Sequence, residues 1–164
     1  MAIAQTIANY LVDHHVDYHV FPHDYAESTF DAACASNMNP HKVAKAVVIA
    51  TKGHYKRTCC VVVLPADRYV NMHGIRDVAN IKVELAKEYE LTVLFPDCAV
   101  GAIPALGEAY GLPTFIDESI VDSGPGFFFE AGDHQELIRI DVNKLEDLLP
   151  MAEFVSVTKR HFSR

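Results

Sequence analysis

The chain has 164 residues, half of them hydrophobic and 22 % charged, with a formal net charge of −8. This length can bury a substantial core, so one domain over residues 1–164 is expected. The acidic balance argues against tight electrostatic binding of duplex DNA or RNA, which a basic face would normally drive. No apolar run reaches the roughly 18–20 residues needed to span a bilayer. The first residues, Met1 to Thr6, lack a basic region followed by a continuous apolar one. A cytoplasmic protein without a membrane partner is therefore the expectation.

In chain order, Ile3, Ile7, Tyr10, Leu11 and His14 follow helical spacing and predict an amphipathic helix over residues 2–15. Residues 17–22 alternate like a strand, with Pro22 suited to an edge or a strand end. Ser28 is placed as the N-cap of a short helix running to Asn37, with Asp31 three positions on. Asn39-Pro40 marks a turn. Residues 45–51 and 57–64 are two long apolar strands, joined by a turn at Lys52, Gly53 and His54 into a hairpin central in its sheet. Helical segments are expected near 72–79 and 82–90. Residues 95–107 hold too much Gly and Pro for regular structure. Strands follow at 114–117, 126–130 and 136–140, and a helix capped by Asp141 runs to Leu149. The sum is an α/β (α+β type) fold, a mixed, mainly antiparallel sheet surrounded by helices.

The four cysteines form no CxxC pair. Cys59 and Cys60 are neighbours on a strand and must point to opposite faces. Reduced cysteines serving as small buried apolar residues are expected rather than disulfides or structural zinc. The basic stretches are short: Lys56-Arg57, and Lys159, Arg160 and His161 in the tail. If this protein acts on a nucleic acid, another molecule should help deliver it.

Three features could carry chemistry. Lys45 stands at the head of an apolar strand, either snorkelling over its surface or holding a charge toward a pocket. The loop with Gly101, Pro104 and Gly107 is either an ordinary connection or a place where backbone N–H groups approach a ligand. The stretch Ala131, Gly132, Asp133 and His134 suits a hairpin turn, and a rim histidine would be free to meet a ligand. His14, His15, His19 and His23 crowd the N-terminal region without metal-ligand spacing, so no metal and no cofactor are expected. Ser28 lacks the GxSxG context of a serine hydrolase.

Taken in order, these pieces resemble the YbaK/prolyl-tRNA synthetase-associated domain family, relatives of a synthetase editing domain. The resemblance rests on His23, Ser28-Thr29 and Ala32-Ala33, the segment from Asn39 to Lys45, and the segment from Val61 to Arg68. It continues through residues 95–107, 111–117 and 128–132. It implies a pocket for the 3′ end of a mischarged aminoacyl-tRNA and hydrolysis of the ester to the terminal ribose. Lys45 would be the catalytic polar residue. Substrate contacts are implied at His23, Ser28, Phe30, Gly101, Ala102, Pro104, Gly107, Gly132 and His134. A synthetase or another tRNA-delivering protein is the further partner expected. Ala46-Val47 after the lysine and Gly101 to Pro104 in the loop depart from common family patterns, which leaves the accepted amino acid open. The alternative is a catalytically silent module sensing aminoacyl-tRNA, an amino acid or a nucleotide-like ligand. A metal-dependent hydrolase using the N-terminal histidines is a third possibility.

Overall fold

The computed structural model describes residues 3–53, 55–156 and 158–160, with the side chains of Lys159 and Arg160 left aside. Ala2 of the expected first helix, His54 of the hairpin turn and His161 of the basic tail lie outside the described residues.

Ten strands and six α-helices are described. The strands are β1 (His19–Pro22), β2 (Val43–Thr51), β3 (Cys59–Pro65), β4 (Arg68–Val70), β5 (Val83–Leu85), β6 (Thr114–Asp117), β7 (Gly126–Glu130), β8 (Glu136–Asp141), β9 (Glu153–Val155) and β10 (Thr158–Arg160). The helices are α1 (Gln5–Asp13), α2 (Thr29–Ala35), α3 (Met72–Ala79), α4 (Glu88–Leu94), α5 (Glu118–Val121) and α6 (Leu145–Leu148). The main sheet runs β1-β8-β7-β2-β3-β6-β9, with β5 also on β2, while β4 and β10 form a separate ribbon. The β1–β8, β7–β8, β2–β3 and β2–β5 pairs are antiparallel, and β2–β7, β3–β6 and β6–β9 are parallel. The sheet is therefore mixed and mainly antiparallel, as expected.

Strand parity explains the core. Ala44 and Val48 of β2 face the main cluster, with Val61, Val63, Phe127 and Phe129, under Ile7 and Leu11 of α1. Val43 faces the other side, against Ala32 and Ala33 of α2. Ile49, Val62 and Leu64 share that second side with Ile75 of α3. Cys59 packs on the main cluster and Cys60 on the cluster under α3, on opposite faces as their adjacency requires.

Several expectations need correction. Residues 82–90 are β5 followed by the start of α4; Val83 faces Thr51 and Leu85 faces Ile49 across an antiparallel ladder, which outweighs the local helical pattern. The 141–149 segment is a 3₁₀ turn (Val142–Lys144) and a four-residue helix. The second hairpin strand starts at Cys59, because Arg57 leaves the ladder to bond the Glu84 and Glu90 carboxylates. Lys45 is the third residue of β2 rather than its first. The four cysteines are free, but Cys34 is exposed and the other three are half-buried, so none is a sealed core residue.

Candidate functional site

The site begins where β2 changes partner. Its first residues pair with β7, Val43 with Phe128 and Ala44 with Phe129. Its last residues pair on the same edge with β5, from Ile49 to Thr51. Between them that edge parts from its neighbours, and the Val48 carbonyl receives the Ala86 N–H at 2.9 Å. In an antiparallel strand the N–H and C=O of a residue point the same way, and alternate residues share an edge. The backbone of Ala46 therefore faces the opening. A cleft of about 280 Å³ lies there, lined by Thr29, Ala46, Val47, Val48, Leu85, Ala86, Leu91, Val100, Gly101 and Ile103.

One wall is the start of α2. The Ser28 hydroxyl accepts the Asp31 N–H at 3.1 Å and lies 2.8 Å from the Asp31 carboxylate, so Ser28 serves as the cap its sequence context predicts. Thr29 is buried and faces the cleft, while Phe30 is exposed.

The opposite wall is the loop after α4. Gly101 has φ +90, and a Cβ there would stand 2.7 Å from the Glu27 carbonyl oxygen and 3.1 Å from His134 Cε1. Only glycine allows this backbone to lie so close to the α2 approach. His134 fixes the same contact. Its Nδ1 is 2.8 Å from the Ala26 carbonyl, its Nε2 is 2.8 Å from the Val100 carbonyl, and Tyr25 packs on its ring at 5.1 Å. The rim histidine expected to be free is thus buried, with both ring nitrogens engaged; it ties the two walls together. Gly107 is buried, its missing Cβ leaving room for Thr114 Oγ1 and Val61. Gly132 packs against Ala4 and Cys98, and Ala102 and Pro104 are buried in the loop. These four residues shape the loop from behind.

His23 is half-buried, with Nδ1 2.6 Å from the Asp24 carbonyl and Nε2 without a partner. Among the described residues, no three His, Cys, Asp or Glu side chains gather as a metal site.

Lys45 lies on the α2 side of β2, between the two smaller clusters. Its ammonium is 5.2 Å from the centre of the Tyr69 ring. Burial lowers its pKa, and the Asp67 carboxylate partly restores it. The lysine therefore sits beside the strand opening, with its charge turned toward Tyr69 and Asp67. Asp67 also holds His41 Nδ1 at 3.1 Å.

Glu130, the last residue of β7, is fully buried and escaped the sequence reading. Neither of its carboxyl oxygens has a hydrogen-bond partner. Burial pushes its pKa up to about 8; the Thr29 hydroxyl offsets part of the rise without completing a hydrogen bond, and the Asp133 carboxylate adds to it. The available signal was a lone carboxylate ending the run Phe127-Phe128-Phe129. Extending the β2–β7 register by one residue brings Glu130 level with Lys45, on the same face, where the strands part.

Behind the loop, Asp97 accepts the Thr6 N–H at 2.8 Å and the Tyr110 hydroxyl at 2.9 Å. Tyr110 lies 3.1 Å from Cys98 Sγ, whose pKa burial pushes up to about 12, so this thiol is a structural contact rather than a nucleophile.

Comparison with known proteins agrees with this architecture. A crystal structure of a hypothetical protein superposes with a TM-score of 0.80 at 15% identity, over 94% of this chain and 100% of that one. A candidate trans-editing enzyme for prolyl tRNA synthetase superposes with a TM-score of 0.78 at 17% identity, over 95% of this chain and 96% of the other. A candidate signal transduction protein from Marinobacter aquaeolei VT8 reaches 0.69 at 10% identity, over 93% of this chain and 30% of that larger one. At such identities these likenesses establish the fold. The chain matches no curated protein sequence. The sequence profile of the aminoacyl-tRNA editing domain matches residues 23–148, a span that includes α2, all of β2, the Gly101 loop and Glu130, and the chain belongs to that family.

Proposed function

We propose that this protein is a trans-editing hydrolase that deacylates mischarged aminoacyl-tRNA at the 3′-terminal ribose. The observation that carries the reading is the cleft at the parting of β2 from β7, in a chain whose family is the aminoacyl-tRNA editing domain. An aminoacyl ester is activated, so its hydrolysis needs placement and charge stabilisation more than a protein nucleophile. Water adds to the ester carbonyl carbon, the bond to the ribose oxygen breaks, and that oxygen takes a proton from the attacking water. The free amino acid and the deacylated tRNA leave.

The residues divide this work by position. The exposed backbone of Ala46 and the close approach at Gly101 offer polar main-chain groups to the ester. Thr29 adds a hydroxyl. Lys45, beside the opening, holds phosphate or carbonyl oxygen once its long side chain turns from Tyr69. The apolar walls from Val48, Leu85, Leu91 and Ile103 receive a small side chain and limit its size. Since the whole chain carries a net charge of −8, a synthetase or another tRNA-binding protein supplies most of the affinity for the tRNA body.

A panel of labelled aminoacyl-tRNAs, incubated with wild type and Lys45→Ala, tests this reading. Deacylation of at least one member above background, with loss in the variant, is expected. Binding without any deacylation would favour the silent sensor. Deacylation untouched by Lys45→Ala would remove the lysine from the site.

A further inference from the structure

We propose that Arg57 is a positioning residue that fixes the width of the cleft and so sets the largest amino-acid side chain the site accepts. The inference deepens the editing reading of the cleft and rests on it.

Two sides of the cleft are held by buried contacts. Thr29 at the start of α2 is buried, and the Gly101 loop is secured by Ala102, Ile103 and both ring nitrogens of His134. The third side consists of Leu85, Ala86 and Leu91, from β5 and α4. No residue of β5 or α4 is buried, and Leu85 is 60% exposed. Ala86, Leu91 and Leu94 pack on the main core only in part, and the nearest buried anchor is Phe95, past the end of α4. Apolar packing therefore leaves this side the least constrained of the three.

Arg57 supplies the constraint. From just ahead of β3 its guanidinium reaches three elements. Nε and Nη2 donate to the two carboxylate oxygens of Glu90 on α4, the second at 3.0 Å. Nη1 donates to Glu84 of β5 at 2.7 Å and to the Thr51 carbonyl at the end of β2 at 3.1 Å. Glu90 also accepts the Lys87 N–H at 2.8 Å, so the same carboxylate closes the first turn of α4. Glu84 and Leu85 point to opposite faces of β5, so the clamp grips the strand from one face while Leu85 meets the cleft from the other. Each cleft-lining leucine directly follows a carboxylate that Arg57 holds. Arg57 is not among the residues that line the cleft, so it reaches the substrate only through them.

Isolated surface ion pairs hold geometry poorly, but a forked guanidinium shared by two carboxylates in a network holds it well. Without the cation, Glu84 and Glu90 become two like charges on neighbouring elements, which drives β5 and α4 apart. A side that yields admits larger groups, whereas a fixed one separates apolar side chains differing by a methylene by roughly 10–200-fold.

The test is single-turnover deacylation of a size series on one tRNA body, the glycyl, alanyl, valyl and leucyl esters, by wild type, Arg57→Ala and Arg57→Lys. A shared tRNA cancels recognition of its body. Wild type should lose about tenfold or more in rate at the first ester too large for the cleft. In Arg57→Ala the rate of that ester relative to the best one should rise about tenfold, and the enzyme concentration that half-saturates its hydrolysis should fall. Arg57→Lys, whose ammonium cannot fork to both carboxylates, should move the ratio the same way. A merely structural loss would lower every rate by one factor and leave the ratio unchanged. That result, a wild type without a size limit, or an Arg57→Lys enzyme as discriminating as wild type would overturn the proposal. If wild type deacylates none of the series, the editing reading falls, and methyl NMR judges the clamp separately. Leu85 and Leu91 signals displaced in Arg57→Ala, with Ile103 unmoved, uphold it. Leu85 and Leu91 signals that coincide with those of wild type overturn it.

Discussion

Glu130→Gln should flatten the pH dependence of stability. In the folded chain burial raises this carboxyl from 4.5 to about 8. Between those values the folded state keeps a proton that the unfolded state releases. Stability therefore falls as pH rises through this window, by about 1.4 kcal/mol per unit where the difference is complete. The stabilising contribution is whole below the unfolded value and is lost by the time pH passes the folded one. Glutamine has nearly the same shape and no charge, so the variant escapes this loss. Relative to wild type it should gain about 2.5 kcal/mol between pH 5 and pH 7, after allowing for partial protonation of the unfolded chain at pH 5. The chain contains no Trp, so urea unfolding followed by far-ultraviolet circular dichroism is the suitable assay, with stability taken from midpoint and slope. Parallel pH–stability curves for the two proteins would refute the reasoning, because they would mean that Glu130 titrates alike in both states.

Other consequences follow from the same geometry. Gly101→Ala forces a side chain into a left-handed backbone against the Glu27 carbonyl; it should cost roughly 1–3 kcal/mol in urea unfolding and weaken deacylation more than the stability loss explains. Gly107→Ala places a methyl 2.4 Å from Thr114 Oγ1 and 2.8 Å from Val61 Cγ2. Overpacking there should destabilise by roughly 1–3 kcal/mol, readable as a lowered melting temperature. Arg57→Ala removes the group that joins β5 to α4 through Glu84 and Glu90. Hydrogen exchange of residues 83–94 should quicken while that of β7 and β8 stays unchanged.

Much of the scaffold was legible because local chemistry and tertiary demand coincide. The apolar strands around Val48 and Val62, the Ser28 cap and the edge position of Pro22 each follow from side-chain type and spacing. The strands that went unread are short. Val83 to Leu85 pairs with β2 for three residues, and β4, β9 and β10 are of the same length, too brief for alternation to declare itself. The site was harder for another reason. Lys45 was visible as a charge in an apolar run, yet its partners Tyr69 and Asp67 come from a different strand and turn. His134 looked free beside a hairpin glycine; only the fold brings the Ala26 and Val100 carbonyls to its ring. Glu130 reads as an ordinary strand end until the fold buries it fully where β2 and β7 part.

The measurement that tests the account most directly is deacylation of a labelled aminoacyl-tRNA panel by wild type and Lys45→Ala. The account predicts turnover of at least one mischarged species by wild type and a loss on the order of 10²-fold in the variant. No turnover of any aminoacyl-tRNA by wild type, or equal turnover by both proteins, would contradict it.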